Sequence, residues 1–188
     1  LFTYECAGLP DWLQTLAEGA EKVLLLVPEG RVLGSVQAWL GEGELQVGDA
    51  CTRGRLRVQV LPFVSQEDYD RLLWSCDFNA VRGEDSFVRA LWAGKPLLWH
   101  IYQQADDAHL HKLEAFVQLY LQGLSDESAQ ALRTFWQAWN TGEPLALSWQ
   151  ALQAQWPQVQ QHAHNWSIRQ AAQRDLAAGL AHFCANWL

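Results

Sequence analysis

The sequence predicts an α/β fold in which a Rossmann-like parallel sheet is followed by a helical C-terminal extension. Short apolar segments alternate with segments of helix length through the first half, as in doubly wound parallel sheets. The unit Phe78–Tyr102 has the pattern of a strand, a tight charged turn, a short helix and a second strand. After Tyr102 the remaining elements have helical periodicity.

Strands are predicted first, from short runs of apolar and β-branched residues. The predicted strands are Leu1–Glu5, Val23–Val27, Leu45–Val47, Arg57–Phe63, Phe78–Val81 and Leu97–Ile101. The second of these is a continuous apolar run, typical of a strand buried on both faces of a parallel sheet. The third is only a short candidate, and a polar turn follows it.

Helices are predicted from apolar periodicity and from terminal signals. In the first half they are Leu9–Gly19, Val32–Leu40, Gln66–Cys76 and a short helix through Phe87, Ala90 and Leu91. Ser65 is the predicted N-cap of the third, with Asp68 three residues on. In the second half they are His109–Leu121, Asp126–Trp139, Leu145–Gln161 and Ser167–Trp187, with Asn165 before the last. Pro157 is expected to kink or break the helix that contains it.

Composition narrows the class of protein. The net charge is −8 and no cluster of Lys and Arg offsets it, so we expect no nucleic-acid partner. The four cysteines are widely spaced without a C-x-x-C pair, which favours a reduced, cytoplasmic setting. The longest apolar run is too short to cross a membrane. The absence of methionine and the immediate strand-like start indicate a piece of a longer protein.

The turn Arg82-Gly83-Glu84-Asp85-Ser86 is the strongest candidate site. It follows a predicted strand, so it lies at the carboxyl edge of the sheet, where open α/β folds bind ligands. Free N–H groups of the following helix beside the Arg82 guanidinium would suit a phosphate. Since Glu84 and Asp85 would repel a phosphate, we expect them to face hydroxyl groups or to pair with Arg82. The alternative is an ordinary helix start, in which Asp85 or Ser86 is the cap and Arg82 makes a surface ion pair.

A second group of residues is predicted at the same edge. Phe63 ends a strand and would stack on a base, while Ser65 and Gln66 would supply hydrogen bonds. Phe2 and Tyr4 occupy alternate positions of the first predicted strand, so they share one face. Packing in the core is the alternative for the three aromatic side chains.

Other sites lack their signatures. The pairs His109/His111 and His162/His164 are spaced i, i+2, which directs the two side chains to different faces of a helix, so we expect no metal site. No G-x-G-x-x-G, P-loop or G-x-S-x-G motif occurs.

The sequence resembles the EarP family at Asn79–Tyr102, with flanking matches at Leu61–Gln66 and Leu1–Tyr4. These bacterial enzymes are protein-arginine rhamnosyltransferases that modify translation elongation factor P. The resemblance implies the C-terminal domain of a GT-B glycosyltransferase, which holds the donor dTDP-β-L-rhamnose without a metal or other cofactor. Residues 1–165 would form the nucleotide-sugar-binding domain, and 166–188 a helix crossing back toward an N-terminal acceptor domain that this chain lacks.

The resemblance also implies roles for individual residues. Phe2 and Phe63 correspond to an aromatic clamp on the thymine ring. The contacts around nucleotide, diphosphate and sugar correspond to Tyr4, Ser65, Gln66, Arg82, Gly83, Glu84, Asp85, Ser86 and Tyr102. Glu84 is the residue of this half that the family ties most closely to activity, and the resemblance assigns it a catalytic role.

Two other functions stay open at this point. The chain could be a non-catalytic protein-interaction domain that docks through its tryptophan-rich helices, with the charged turn serving only as a helix cap. It could also serve a transferase for another nucleotide sugar, because a fold does not fix a substrate. A meeting of Phe63, the turn 82–86 and Tyr102 at one sheet edge would argue against the interaction domain.

Overall fold

A computed structural model of the protein describes residues 1–41 and 43–187. The strands are β1 (Val23–Pro28), β2 (Ala50–Arg53), β3 (Leu56–Leu61), β4 (Asn79–Arg82) and β5 (Leu97–His100). The α-helices are α1 (Leu9–Glu18), α2 (Arg31–Leu40), α3 (Gln66–Ser75), α4 (Glu84–Trp92), α5 (Ala108–Tyr120), α6 (Asp126–Thr141), α7 (Ala146–Ala154), α8 (Trp156–Ala171) and α9 (Leu176–Trp187). The predicted α/β class, with parallel strands and a helical second half, is confirmed.

The sheet consists of two parts that the N-terminal segment connects. β1 pairs in parallel with β3, β2 pairs antiparallel with β3, and β4 pairs in parallel with β5. The terminal amino group of Leu1 donates to the Leu26 carbonyl at 2.6 Å, and the backbone N–H of Phe2 donates to the Ala80 carbonyl at 2.8 Å. Phe2 also forms a parallel bridge with Val81. The segment before α1 therefore lies between β1 and β4.

Three strand predictions need correction. Leu1–Glu5 is not a regular strand, because only Phe2 bridges to a neighbour before the chain turns into α1. Leu45–Val47 is not a strand either, and the polar segment β2 takes the edge position beside β3 instead. β1 is buried on one face rather than on two, since Leu25 and Val27 are buried whereas Leu24 is 59% exposed.

The helix predictions hold except near the C-terminus. Ser65 caps α3, because its hydroxyl accepts from the backbone N–H of Asp68 at 3.1 Å. The predicted break at Pro157 is confirmed, since α7 ends before it and α8 begins at Trp156 with this proline in its first turn.

The end of the chain differs from its prediction. α8 continues past Asn165 to Ala171, so the predicted helix Ser167–Trp187 is wrong in its start, and α9 is a separate helix. The predicted division at residue 165 thus falls within α8. α9 exposes apolar side chains such as Leu176 and Leu180. Leu188, the last residue of the predicted C-terminal unit, lies outside the described residues. The docking of α9 onto another domain stays a prediction.

The helical half covers the free edge of β5. The Asn140 side chain on α6 accepts from the Ile101 N–H and donates to the Trp99 carbonyl, both at 3.0 Å. The indole N–H of Trp136 donates to the Leu97 carbonyl at 2.9 Å. These side chains satisfy backbone groups that a further strand would otherwise bond. α6 is thereby fixed against the strand that leads to the site.

We expect Asn140→Ala to lower the free energy of unfolding by about 2–3 kcal/mol. The substitution leaves the buried N–H of Ile101 and the carbonyl of Trp99 without partners, and each such group carries a desolvation cost. Urea unfolding monitored by tryptophan fluorescence measures the change. Asn165→Ala is the matched control, because the Asn165 side chain is exposed and bonds to the side chain of Gln161 rather than to a strand. Equal stability losses in the two variants would contradict the role of Asn140.

Candidate functional site

The site centres on the Arg82 side chain at the carboxyl end of β4. Its guanidinium carbon lies 4.6 Å from the ring centroid of Phe2 and 4.9 Å from that of Tyr4. Both rings therefore contact the same guanidinium, although the strand from which a shared face was predicted is not regular. The Nε of Arg82 is buried without a hydrogen-bond partner, and within the described residues no carboxylate forms an ion pair with this guanidinium. The surface ion pair that was the alternative for Arg82 does not form.

Phe63 extends the aromatic surface on one side of Arg82. Its ring lies edge-on to Phe2, with centroids 6.4 Å apart, and its side chain is 65% exposed. Tyr69 on α3 contacts the Phe2 ring edge-on, with centroids 5.9 Å apart, and its hydroxyl lies near Ser86. Burial raises the pKa of the Tyr69 phenol, so this group stays neutral. Phe63 is thus the solvent-exposed ring of this aromatic group, and the alternative that it packs in the core is wrong.

The turn after β4 gives α4 an open N-terminus. Gly83 has φ 68° and ψ 176°, a conformation that favours glycine. α4 begins at Glu84 without a side-chain cap, so the alternative in which Asp85 or Ser86 caps the helix is wrong. The Gly83 carbonyl accepts from the Trp99 indole N–H at 3.0 Å, which fixes the turn to β5.

The two carboxylates of the turn pair with cations other than Arg82. The Glu84 Oε1 lies 2.9 Å from the Lys112 Nζ, and this hydrogen bond lowers the pKa of the Glu84 carboxyl. The Asp85 carboxylate lies 2.9 Å from Arg89, which also binds Asp70. The expected pairing of Glu84 or Asp85 with Arg82 therefore does not occur. The positive charge of Arg82 is left available to a ligand.

A cavity of about 200 Å³ lies beside Tyr4. Its lining residues are Tyr4, Glu84, Ile101, Tyr102, Gln104 and Lys112. The Tyr4 and Tyr102 rings are 5.9 Å apart, and Tyr102 is 56% exposed. Tyr4 therefore contacts Arg82 and also lines this cavity.

Comparison with known proteins assigns the chain to a family. The sequence matches the family described as "Elongation-Factor P (EF-P) rhamnosyltransferase EarP" over residues 1–185. The chain belongs to the EarP family. A solved structure from a study of EarP-mediated arginine glycosylation of translation elongation factor EF-P superposes with a TM-score of 0.90 at 57% identity. That match covers 100% of this chain and 60% of the solved chain.

Curated relatives carry the same family assignment. A protein-arginine rhamnosyltransferase from Pseudomonas putida is 58% identical over 188 residues, and one from Pseudomonas aeruginosa is 57% identical over the same length. A third from Shewanella oneidensis is 42% identical over 97% of this chain. The chain spans about half the length of the curated relatives it matches, since it covers 50% of each of the first two.

Ser65 and Gln66 are less closely tied to the cluster than the other predicted residues of this EarP-family chain. The Ser65 hydroxyl bonds both the N–H and the carboxylate of Asp68 in the first turn of α3. Gln66 is exposed in the same turn. Both adjoin the aromatic surface through the short connection from Phe63, and their contact with a ligand stays a prediction.

Several residues of the site carried no sequence signal. Lys112 reaches Glu84 from α5, 28 residues away in the chain. Tyr69 lies one helical turn after Ser65, a spacing that could have indicated the same face of α3. His109, whose spacing from His111 argues against a metal site, accepts from the Gln104 N–H through its Nδ1 at 3.2 Å and holds the loop beside the cavity.

His100, at the end of β5, packs edge-on against the Tyr4 ring. The two ring centroids are 5.3 Å apart, and the Trp139 indole N–H donates to His100 Nδ1 at 3.1 Å. Burial lowers the pKa of His100 to about 4, so the imidazole is neutral at pH 7. His100 thus supports Tyr4 by packing and carries no charge into the site.

Two observations concern metals and membranes. Across residues 1–41 and 43–187, no group of three or more His, Cys, Asp or Glu side chains is arranged to hold a metal ion. None of the helices in this part of the chain is both long and apolar enough to cross a bilayer.

We expect acid to destabilise the fold through His100. The unfolded histidine has a pKa of about 6.5, so below that value protons bind the unfolded state first and stability falls as the pH drops toward 4. Between pH 7 and pH 4.5, wild type should lose about 2–3 kcal/mol more than His100→Gln, which keeps an acceptor for Trp139 but does not titrate. Urea unfolding at the two pH values measures this difference. The exposed His111→Gln is the control and should lose as much as wild type; a wild-type-sized loss in His100→Gln would refute the assignment.

Proposed function

We propose that this chain is the donor-binding half of an inverting glycosyltransferase that rhamnosylates an arginine of translation elongation factor P, using dTDP-β-L-rhamnose. The observation that carries the proposal is the Arg82 guanidinium, held between Phe2 and Tyr4 without a carboxylate partner in the described chain. A half-buried cation of this kind is suited to an anionic group such as a diphosphate. The names of the relatives support the reaction class.

The aromatic surface suits the nucleotide. The exposed ring of Phe63 and the adjacent Phe2 offer stacking area for a pyrimidine, and stacking on aromatic side chains is a common way to hold a base. Arg82 lies beside Phe2, which matches the short distance between a base and the phosphates of its nucleotide. The uncapped first turn of α4 would add N–H donors to the diphosphate.

The cavity beside Tyr4 suits the sugar. Glu84 supplies a carboxylate that can accept from sugar hydroxyls, and Tyr102 supplies an exposed phenol. Because Lys112 lowers the pKa of Glu84, this carboxyl stays ionised and is a weak base. We therefore assign Glu84 to orienting the sugar and stabilising positive charge at the reacting carbon, rather than to removing a proton.

The proposed reaction forms one bond and breaks one. A guanidine nitrogen of the acceptor arginine bonds to the anomeric carbon while the bond from that carbon to the diphosphate oxygen breaks, and dTDP leaves with the electron pair. Arg82 and the helix N–H groups would stabilise the leaving diphosphate without a cofactor. A guanidinium is a poor nucleophile because its charge is delocalised, so a carboxylate must orient it and accept its proton.

The family resemblance puts that carboxylate and the acceptor site in the other half of the protein. We therefore propose that the present chain binds donor but does not turn it over alone. α9, with its exposed Leu176 and Leu180, would cross toward the other half. A cytoplasmic location follows from the proposed acceptor.

Isothermal titration of the chain with dTDP and dTDP-β-L-rhamnose tests the donor site. We expect saturable binding, and Arg82→Ala should weaken it by about 1.5–3 kcal/mol because a hydrogen-bonded ion pair with the diphosphate is lost. Arg57→Ala is the control, since Arg57 is exposed near the start of β3. Folded wild-type protein that binds neither ligand would refute the proposed function.

Phe63→Ala should weaken dTDP binding by about 1–3 kcal/mol, the range for loss of one base-stacking ring. Phe63→Tyr should keep most of the affinity, and Trp92→Ala, an exposed aromatic at the other end of α4, should not change it. The same titrations with a panel of other nucleotide sugars test donor identity. Tighter binding of a purine or uridine sugar than of dTDP-β-L-rhamnose would assign the site to another transferase.

A further inference from the structure

We infer that Lys112 is a positioning residue that acts through Glu84, holding this carboxylate at the sugar cavity and compensating its charge so that an anionic donor can bind. The inference rests on the proposed function. Lys112 lies on α5, outside the strand–turn–helix unit that carries Arg82 and Glu84. It is the cation that lines the cavity together with Glu84.

The geometry ties Lys112 to the turn at two points. Its Nζ lies 2.9 Å from Glu84 Oε1 and 5.3 Å from the centroid of the Trp99 ring. The same indole donates its N–H to the Gly83 carbonyl and stacks on Phe87, with centroids 4.1 Å apart. One rigid aromatic side chain therefore fixes both the backbone before Glu84 and the ammonium that binds the Glu84 side chain.

The charges of the turn explain why such a partner is needed. Glu84 and Asp85 bring two negative charges to the first turn of α4, beside the place proposed for a diphosphate. Asp85 is compensated by Arg89 within the same helix. Glu84 depends on Lys112, which is the one cation that pairs with it among the described residues. Without Lys112, the uncompensated carboxylate would repel an anionic donor bound at this turn.

The arrangement favours an indirect role over direct phosphate binding. The Lys112 ammonium is already engaged by Glu84 and by the Trp99 face, whereas Arg82 has no anionic partner within the described chain. Arg82 is thus the cation free for phosphate, and Lys112 the cation committed to the carboxylate. The two roles predict different behaviour when Glu84 is made neutral.

A double-mutant cycle on this chain tests the inference by isothermal titration with dTDP-β-L-rhamnose. Lys112→Met should weaken binding by about three- to fivefold, the scale of a partly exposed charge pair, and Lys112→Arg should restore most of it. In the Glu84→Gln background, adding Lys112→Met should change the affinity by less than about 1.5-fold, because no carboxylate charge is left to compensate. Lys22→Met, which removes an exposed charge before the amino end of β1, should bind like wild type.

The outcomes separate the possible roles. An equal loss from Lys112→Met in both backgrounds would mean that Lys112 binds the donor directly, and it would overturn the inference. So would an unchanged affinity of Lys112→Met in the wild-type background. If wild type itself does not bind dTDP-β-L-rhamnose, the proposed function is wrong. This result is distinct from failure of the inference, which shows only when the variants are compared with a wild type that binds.

The ion pair is also testable without ligand. A carboxyl ¹³C NMR titration should find a Glu84 pKa below the usual glutamate range in wild type and a higher Glu84 pKa in Lys112→Met, because the hydrogen bond that lowers it is lost. Lys22→Met should leave the Glu84 value unchanged. Equal Glu84 values in wild type and Lys112→Met, in protein with unaltered circular dichroism, would refute the pairing on which the inference depends.

Discussion

The segment before α1 lies between β1 and β4, where hydrogen bonds from the Leu1 amino group to Leu26 and from the Phe2 N–H to Ala80 join the two parts of the sheet. The same register presents two aromatic rings to the carboxyl end of β4, where they enclose the Arg82 guanidinium. The position of this short segment therefore determines both the continuity of the sheet and the shape of the candidate site. If it separated from β4, the guanidinium would lose its aromatic contacts and the site its central cation.

Charge compensation is organised around this cation. The neighbouring carboxylates are paired with cations from other positions: Glu84 with Lys112 on α5, and Asp85 with Arg89 one turn further along α4. Because both acidic groups already have partners, neither of them neutralises the Arg82 guanidinium. Composition alone would not indicate this for a chain of net charge −8.

Support for the site comes from the helical half. α6 bonds the free edge of β5 through Asn140 and Trp136. On the same strand, the Trp99 side chain bonds to the turn and the His100 ring packs against Tyr4. The tryptophans that suggested a docking surface in the sequence are instead largely buried in this core, with Trp136 and Trp139 at 0% and 1% exposure. The meeting of Phe63, Arg82 and Tyr102 at one edge also disfavours a purely structural turn.

The sequence alone determined the α/β class, the helix starts and stops of the first half, and the placement of the turn 82–86, because these depend on local periodicity and on glycine and proline at chain reversals. It missed β2 and the one-sided burial of β1, since edge position and exposure depend on neighbours distant in the chain. It likewise did not indicate which acid pairs with which base: Lys112 and Glu84 are 28 residues apart, and only the packing of α5 against the sheet brings them together. Local chemistry thus identified the candidate residues, and tertiary contacts decided which charges remain free to bind.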